Sequence, residues 1–176
     1  SLNADAKDET SERDFGKNII PTLLAKKKRL FVHRFDGYWK DVGTIDSLWE
    51  ANMDLIDSMD EDFYTIDKYH FRLFSEDTNS VPQYVGKKAR VTNSVVNQGA
   101  IILGEVDHSI ISNEVFIDNG ARITNSVIMP GVKIGKNAVI NKAIVINDIE
   151  IAEDTTINIE GEKVVLVHQG GVKWKF

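Results

Sequence analysis

Two aromatic residues and a carboxylate stand together in the stretch GYWKDVGTIDSLWEANMDL, residues 37–55. Asp41 is predicted to lie where a strand ends and a helix begins, and ligand sites in open α/β sheets gather at the carboxyl ends of strands. A carboxylate there can hold Mg²⁺, which bridges substrate phosphates. Tyr38 and Trp39 can give a sugar ring an apolar wall with a polar tip. The local pattern alone leaves open, and favours, a simpler interpretation: a capped turn beside core aromatics.

Larger catalytic motifs are absent from the chain. It contains no GxGxxG, Walker A, GxSxG or HExxH pattern, so it carries no nucleotide-binding loop of its own. Asp14-Phe15-Gly16 is similar to the DFG of kinases, but no glycine-rich loop or VAIK lysine precedes it, so the kinase interpretation fails. Because the chain has no cysteine, thiolate metal sites and disulfides are excluded.

Charge argues against two classes of partner. The 176 residues include 21 basic and 27 acidic side chains, a net charge of −6. Residues 85–176 hold 10 of each sign, so the acidic excess lies in residues 1–84. This distribution does not suit binding to nucleic acid or to an anionic membrane. No apolar run approaches the ~20 residues of a membrane span, and the lack of cysteine fits a reducing cytoplasm, where we expect the protein to be found.

The elements that must position these residues are of two kinds, and the clearer kind is a repeat in residues 85–159. Its β-branched residues recur about every six positions and are followed by Gly, Asn or Asp. The small residues of successive units are 15, 17 and 17 positions apart, at Ser94, Ser109, Ser126 and Ala143. This spacing predicts a parallel β-helix of four to five coils, with Val and Ile inside and residues that tolerate φ > 0 at the corners.

The segment before the repeat has helical and strand-like patterns. Pro21 suits the first turn of a helix, which we place at about residues 20–28 with Leu23 and Leu24 buried. Residues 30–35 (LFVHRF) alternate as a strand does. These elements indicate one α/β edge of a larger sheet, because so few elements cannot close a sheet-based core alone.

A second helix is predicted directly after the opening stretch. Thr44 is its expected N-cap. Its apolar residues fall on one face at helical spacing, at Ile45, Leu48, Trp49, Met53 and Ile56. Residues 57–84 then form an irregular connector, with Pro82 near its end.

Four stretches, taken in order, resemble the C-terminal part of the bacterial glucose-1-phosphate adenylyltransferases (ADP-glucose pyrophosphorylases). They are ERDFGKNIIPTLL, GYWKDVGTIDSLWEANMDL, NSVPQYVG and NSVIMPGVKIGKNAVINKAIV. The resemblance spans almost the whole chain, and the combination of YWKDVGT with SVIMPGV is specific. It implies the α/β edge of a Rossmann-like nucleotidyltransferase domain in residues 1–56, a linker in 57–84 and a left-handed parallel β-helix in 85–176.

The resemblance also implies an activity and a set of site residues. Members of the family join ATP and glucose 1-phosphate into ADP-glucose and pyrophosphate for glycogen synthesis, with Mg²⁺. Asp41 matches a metal ligand of the family, and Asp14, Phe15 and Trp39 match residues of its glucose-1-phosphate pocket. The family's glycine-rich loop, first metal aspartate and ATP contacts have no counterpart here. We therefore expect roughly the last two fifths of such an enzyme, inactive alone because one carboxylate without ATP contacts cannot assemble the reaction.

Two other functions remain open on sequence grounds. One is a paralogous regulatory subunit that keeps the fold without turnover. The other is a hexapeptide acyltransferase in which His108, inside the repeat unit DHSII, acts as general base, although a surface histidine is the more ordinary explanation. The family resemblance further implies a homotetramer, or assembly with a paralogous subunit, and a response to a sugar-phosphate effector.

Overall fold

The chain forms two compact units, Ser1–Tyr38 and Trp39–Phe176. The computed structural model describes residues 2–62 and 78–173. The division between the units falls before the Asp41 stretch, so that Trp39 and Asp41 belong to the same unit as the repeats.

The first unit contains three short helical segments. They are α1 (Leu2–Asp5), a π-helical turn (Phe15–Ile19) and α2 (Ile20–Ala25). Pro21 lies in the first turn of α2, as predicted. Ile19 is the buried residue of these segments.

Two details of the predicted first helix are wrong. The helix α2 ends at Ala25 and not at residue 28, because Lys27 takes a left-handed backbone conformation, with φ of 50°, that an α-helix cannot continue. Leu24 is exposed and Leu23 is half-buried, so the expected burial of both leucines does not occur.

The strand predicted for residues 30–35 is also wrong. These residues form no regular element, and Phe31 and Val32 are 88% and 98% exposed. A strand needs a neighbouring strand to pair its backbone N–H and C=O groups. The described part of the first unit contains helical segments and no strand that could pair with it. The alternation of apolar and polar residues at 30–35 is that of a strand, but the described part of the unit offers no second strand to pair with it.

The second unit begins with one long helix, α3 (Ile45–Asp62). The helix continues past residue 57, where the connector was predicted to begin, so the first residues of the predicted 57–84 linker are helical. Residues 63–77 of that linker lie outside the described residues.

The rest of the second unit is a parallel β-helix built from three sheets. The first sheet contains β1 (Tyr84–Val85), β4 (Ile101–Ile102), β7 (Phe116–Ile117), β10 (Lys133–Ile134) and β13 (Glu150–Ile151). The second contains β2 (Arg90–Thr92), β5 (Glu105–Asp107), β8 (Arg122–Thr124), β11 (Val139–Asn141) and β14 (Thr156–Ile157). The third contains β3 (Val95–Val96), β6 (Ile110–Ile111), β9 (Val127–Ile128), β12 (Ala143–Val145), β15 (Val165–His168) and β16 (Gly171–Lys173).

The register of the strands confirms the predicted coil length. Arg90 pairs with Glu105 one coil later, and Val139 pairs with Thr156. These offsets of 15 and 17 residues match the spacing found in the sequence. The parallel stack has five strands in each sheet, in agreement with the expected four to five coils, and β16 ends the third sheet by pairing antiparallel with β15.

Two coils differ from the others at one corner each. Only Leu103 and Gly104 separate β4 from β5, and this short corner accounts for the 15-residue coil. A side chain at Gly104 would meet the Ala121 carbonyl oxygen at 2.3 Å, so the corner requires glycine. The last coil has instead a long corner between β14 and β15, at residues 158–164.

Inward-facing aliphatic residues form the core of the β-helix. Seven isoleucines of successive coils have no exposed surface: Ile102, Ile111, Ile117, Ile123, Ile128, Ile134 and Ile140. One row of corners takes the left-handed conformation, with φ between 39° and 48° at Asn93, His108, Asn125 and Lys142. Asparagine tolerates this conformation better than most residues, which explains its recurrence.

The small residues that marked the repeat form a buried hydrogen-bonded ladder. The Ser109 N–H donates to Ser94 Oγ at 3.1 Å, and the Ser126 N–H donates to Ser109 Oγ at 3.1 Å. The Ala143 N–H donates to Ser126 Oγ at 3.2 Å and ends the ladder, because alanine has no hydroxyl. The ladder gives buried backbone N–H groups the partners that they need.

Candidate functional site

The Asp41 turn, residues 39–44, presents its chemical groups to solvent. Asp41 Oδ1 accepts a hydrogen bond from the Gly43 N–H at 3.0 Å, and the carboxylate is exposed. Trp39 is 74% exposed and Tyr38 is 62% exposed. The turn is therefore ordered by hydrogen bonds, as the simpler interpretation expected. The aromatic residues, however, are not part of a core.

Thr44 joins this turn to α3 as the predicted N-cap. Thr44 Oγ1 accepts from the Ser47 N–H at 3.1 Å, and Ser47 Oγ accepts from the Thr44 N–H at 3.1 Å. This reciprocal pair satisfies two backbone donors at the start of the helix. It fixes the direction in which the chain leaves the Asp41 turn.

Lys40 ties the turn to the middle of α3. Its Nζ lies 2.8 Å from Glu50 Oε2 and 3.5 Å from Asp54 Oδ2. The hydrogen bond to Glu50 raises the pKa of Lys40, and the negative charge of Asp54 also raises it, although partial burial opposes both. This role of Lys40 was not predicted from the sequence, where its one visible signal is the pair of acidic residues four positions apart on the helix, Glu50 and Asp54.

The apolar face of α3 packs against the β-helix. Ile45, Met53 and Ile56 are at most 5% exposed. They form one cluster with residues of the third sheet and its last corner, Val127, Ile144, Val164 and Leu166. The predicted apolar face is therefore confirmed. The Asp41 turn thus leads into a helix that the β-helix holds in place.

Trp49 adds polar contacts to the same interface. Its Nε1–H donates to the Asn125 carbonyl oxygen at 2.7 Å. The Lys142 ammonium lies 5.4 Å from the centre of the tryptophan ring, a distance at which a cation interacts favourably with the ring face. Two corners of the left-handed row therefore contact Trp49 of α3.

The other two predicted pocket residues lie in the first unit. Asp14 caps the π-helical turn by accepting from the Lys17 N–H at 2.8 Å, and Phe15 is 62% exposed. Asp14 and Phe15 thus belong to one compact unit, and Trp39 and Asp41 belong to the other.

His108 occupies a left-handed corner and is bonded on both sides. Its Nε2 lies 2.9 Å from Asp57 Oδ1 of α3, and its Nδ1 lies 2.8 Å from Asn125 Oδ1 of the next coil. Both ring nitrogens are engaged, so neither is free to act as the general base of an acyltransferase. The sequence gave no sign of the Asp57–His108 pair, because 51 residues separate its members.

Three further features of the described residues bear on function. No group of three or more His, Cys, Asp or Glu side chains could hold a metal ion within residues 2–62 and 78–173. An open groove on the second sheet, lined by residues such as Arg90, Glu105 and Arg122, contains none of the predicted site residues. In the part of the chain that the structure describes, no helix has the length and apolar character needed to cross a membrane.

Comparisons with known proteins agree with the architecture. The family model "GlmU-like, C-terminal hexapeptide" matches residues 78–167, about half of the chain, and the "Nucleotidyl transferase" model matches residues 1–58. The second match includes Asp14, Phe15, Trp39 and Asp41. The nucleotidyltransferase match followed by a β-helix confirms the predicted fold class.

Curated relatives extend the similarity to nearly the full chain. Proteins named glucose-1-phosphate adenylyltransferase from Bacillus cereus (strain Q1), Bacillus mycoides (strain KBAB4) and Bacillus anthracis are each 44% identical over 171 residues. The alignment covers 96% of this chain and 45% of each relative, so the chain spans less than half the length of these relatives. The resemblance seen in the sequence is confirmed, and the chain belongs to the family of GlmU-like, C-terminal hexapeptide proteins.

Proposed function

We propose that this chain is part of a nucleotidyltransferase that forms ADP-glucose and pyrophosphate from ATP and glucose 1-phosphate. The observation that carries the proposal is 44% identity over 96% of the chain to proteins named glucose-1-phosphate adenylyltransferase. The chain spans 45% of such a relative, so the contacts to ATP are expected from the part of the relative that the alignment does not cover. The 176-residue chain alone is expected to be inactive.

Four residues supply this chain's share of the site. From the family resemblance, Asp14, Phe15 and Trp39 are assigned to the binding of glucose 1-phosphate, and Asp41 is assigned to the metal. Two features support these roles: the exposure of Phe15, Trp39 and Asp41, and the rigid attachment of the Asp41 turn to α3. An exposed indole on a fixed backbone can stack on a sugar ring at little cost in conformational entropy.

The metal is proposed to be Mg²⁺. Asp41 offers one hard oxygen donor, and its second carboxylate oxygen is not used by the bond to Gly43. This donor set fits Mg²⁺, which is commonly held by one or two carboxylates together with substrate phosphates and water. When bound, the ion neutralises charge on the reacting phosphates.

The chemistry is in-line transfer of an adenylyl group. A phosphate oxygen of glucose 1-phosphate forms a bond to the α-phosphorus of ATP, and the bond from that phosphorus to the bridging oxygen breaks, releasing pyrophosphate. Positioning and charge neutralisation do most of the catalysis in such reactions. Trp39 would orient the sugar, and Lys40 would keep the Asp41 turn fixed during the reaction through Glu50.

Assembly, regulation and location complete the proposal. Tyr84 and Ile101, at 58% and 40% exposure, pair in neighbouring strands and continue to Phe116 on the outer face of the first sheet. This apolar column supports contact with a second copy within a homotetramer, or with a paralogous subunit. A response to a sugar-phosphate effector and a cytoplasmic location remain proposals from the family resemblance.

A hybrid enzyme tests the function. This chain would be joined to the N-terminal part of the Bacillus cereus relative that the alignment does not cover. Pyrophosphate release would then be followed with glucose 1-phosphate, Mg²⁺ and each nucleoside triphosphate. We expect release selective for ATP. Asp41→Asn keeps the Oδ1 that accepts from Gly43 but removes the charge, and should lower the rate by about 100-fold or more.

Control variants distinguish a loss of activity caused by the site residues from one caused by a change in folding. Asp46→Asn removes a neighbouring exposed carboxylate and should leave the rate unchanged. Trp39→Ala should raise KM for glucose 1-phosphate more than KM for ATP, whereas Ile159→Ala removes an exposed apolar side chain on the β-helix and should change neither. A folded hybrid without activity would favour the regulatory-subunit function. An active hybrid that is indifferent to Asp41→Asn would keep the enzyme class and remove Asp41 from the metal site.

A further inference from the structure

His108 lies in a chain of hydrogen bonds whose direction is fixed. Asn141 Nδ2 donates to the Ile159 carbonyl oxygen at 3.1 Å, so Asn141 Oδ1 must face the other way and accept from Asn125 Nδ2, also at 3.1 Å. Asn125 therefore turns its own Oδ1 towards His108 Nδ1, at 2.8 Å. Because an amide oxygen only accepts, Nδ1 of His108 must carry a proton.

The opposite ring nitrogen also meets an acceptor. Asp57 Oδ1 lies 2.9 Å from His108 Nε2, and a carboxylate cannot donate. Both ring nitrogens must then carry protons for both bonds to form, which describes the imidazolium ion. A neutral His108 keeps one of its two bonds and loses the other.

The charged groups around the ring agree with this assignment. Burial lowers the pKa of His108, but the hydrogen bonds to Asn125 and Asp57 and the charges of Asp57 and Asp107 outweigh it, so the pKa is raised above the ordinary value of 6.5. Asp57 faces the ring from α3, and Asp107 precedes it on β5. Lys142, two corners along the same row, places its ammonium over Trp49.

His108 contacts α3, the helix that directly follows the Asp41 turn. Asp57 is three residues from Asp54, which shares Lys40 with Glu50. Lys40 is the residue directly before Asp41. A fixed path of contacts therefore runs from His108 through the second half of α3 to the candidate metal ligand.

We propose that protonated His108 is a positioning residue for the Asp41 turn, clamping the second half of α3 to the β-helix through Asp57. The role of Asp41 in this statement rests on the proposed function, but the clamp itself does not. Since folding raises the pKa of His108, the charge-assisted clamp is fully formed below pH 6.5. Its contribution is lost as the pH rises through the folded-state pKa, because the neutral ring has no charge and keeps only one of its two hydrogen bonds.

Two substitutions of His108 distinguish the effect of its positive charge near Asp57 from the effect of the corner conformation. His108→Asn places at this corner the residue that occupies it in the neighbouring coils, at Asn93 and Asn125, so the coil is preserved while the contact with Asp57 is lost. His108→Lys places there the residue found at Lys142. It keeps a positive charge near Asp57 that does not titrate between pH 5 and 9.

The test is NMR on the 176-residue chain between pH 5 and 9, with the imidazole nitrogen shifts of His108 and the amide exchange of α3 as readouts. As the pH rises, protection factors for the second half of α3 should fall about two- to fivefold, which is the range expected for a partly exposed ion pair. The midpoint of this fall should coincide with the midpoint of the His108 titration. The Gly43 amide, which donates to Asp41, should shift with the same midpoint. His108→Asn should give low protection at every pH, and His108→Lys high protection without a midpoint.

Several outcomes would overturn the proposal. The first is a pKa of His108 at or below 6.5. The second is unchanged amide protection of α3 in His108→Asn. The third is a chemical shift of the Gly43 amide that does not change with the His108 titration. Amides of the β-helix core, such as those of Ile117 and Ile134, should stay protected in both variants and report intact folding. These readouts need neither ATP nor metal, so a failed clamp is distinguishable from a failed hybrid enzyme.

Discussion

The buried hydrogen-bonded ladder of Ser94, Ser109, Ser126 and Ala143 determines how much stability each serine hydroxyl contributes. Ser126 is fully buried, and its Oγ is the acceptor for the Ala143 N–H. Its own hydroxyl proton goes to the Thr124 carbonyl oxygen, which also accepts from the Lys142 N–H at 3.1 Å. Ser126→Ala therefore leaves one buried group without a partner, the Ala143 N–H, because the Thr124 carbonyl keeps its other donor.

An unsatisfied buried donor costs about 1–3 kcal/mol. We expect Ser126→Ala to lower the free energy of unfolding by about 2 kcal/mol, and Tm by about 4–8 °C in a chain of this length. Ser109→Ala should cost a similar amount, because it leaves the Ser126 N–H unpaired. Ser94→Ala should cost less, since Ser94 is only half-buried in the first coil and water can reach the Ser109 N–H.

Urea unfolding followed by far-ultraviolet circular dichroism measures these differences. Ser112→Ala is the matched control, because Ser112 is a half-buried serine of the same β-helix that does not belong to the ladder. If the unfolding free energies of Ser126→Ala and Ser112→Ala agreed within about 0.5 kcal/mol, the spread expected of neutral surface changes, the ladder would not stabilise the fold.

Three further changes test the α3 interface and the corners. Trp49→Phe keeps an aromatic ring under Lys142 but removes the hydrogen bond to Asn125, and should cost about 1 kcal/mol in urea unfolding; an unchanged free energy would mean that the bond adds nothing. Ile56→Ala, at a residue that is 1% exposed, should cost about 3 kcal/mol in the same assay, and a cost below about 1 kcal/mol would contradict close packing of α3. Gly131→Ala should lower Tm measurably, by an amount equivalent to about 1–2 kcal/mol, because φ is 71° there and the new Cβ would lie 2.2 Å from an Asp148 oxygen; an equal Tm would show that the corner tolerates a side chain.

The β-helix could be predicted well because its determinants are local and repeated. Each coil places a small residue, an inward isoleucine or valine and a turn residue at nearly the same spacing, and the parallel strands pair residues that are one such spacing apart. The cap at Thr44 and the apolar face of α3 were predictable for the same reason, since a helix displays its period within its own sequence.

The failures concern partners that are distant in sequence. The strand at residues 30–35 needed neighbours that the described residues of its unit do not provide. Lys40 binding to Glu50 and the pairing of Asp57 with His108 depend on where side chains meet after folding, and no local pattern encodes that. The exposure of Trp39 could not be predicted either, because an aromatic residue beside a turn is as compatible with a core as with an open pocket.

The corners of the β-helix differ in length, yet the register between strands of successive coils does not depend on corner length. Strands of successive coils stay in step whether the corner between β4 and β5 has two residues or the corner between β14 and β15 has a long loop. Backbone pairing along each sheet sets the register, so the corner lengths are free to vary. The middle of the long corner at residues 158–164, at the exposed Glu160, is therefore a natural position to insert a peptide tag or attach a fluorophore without moving the strands on either side.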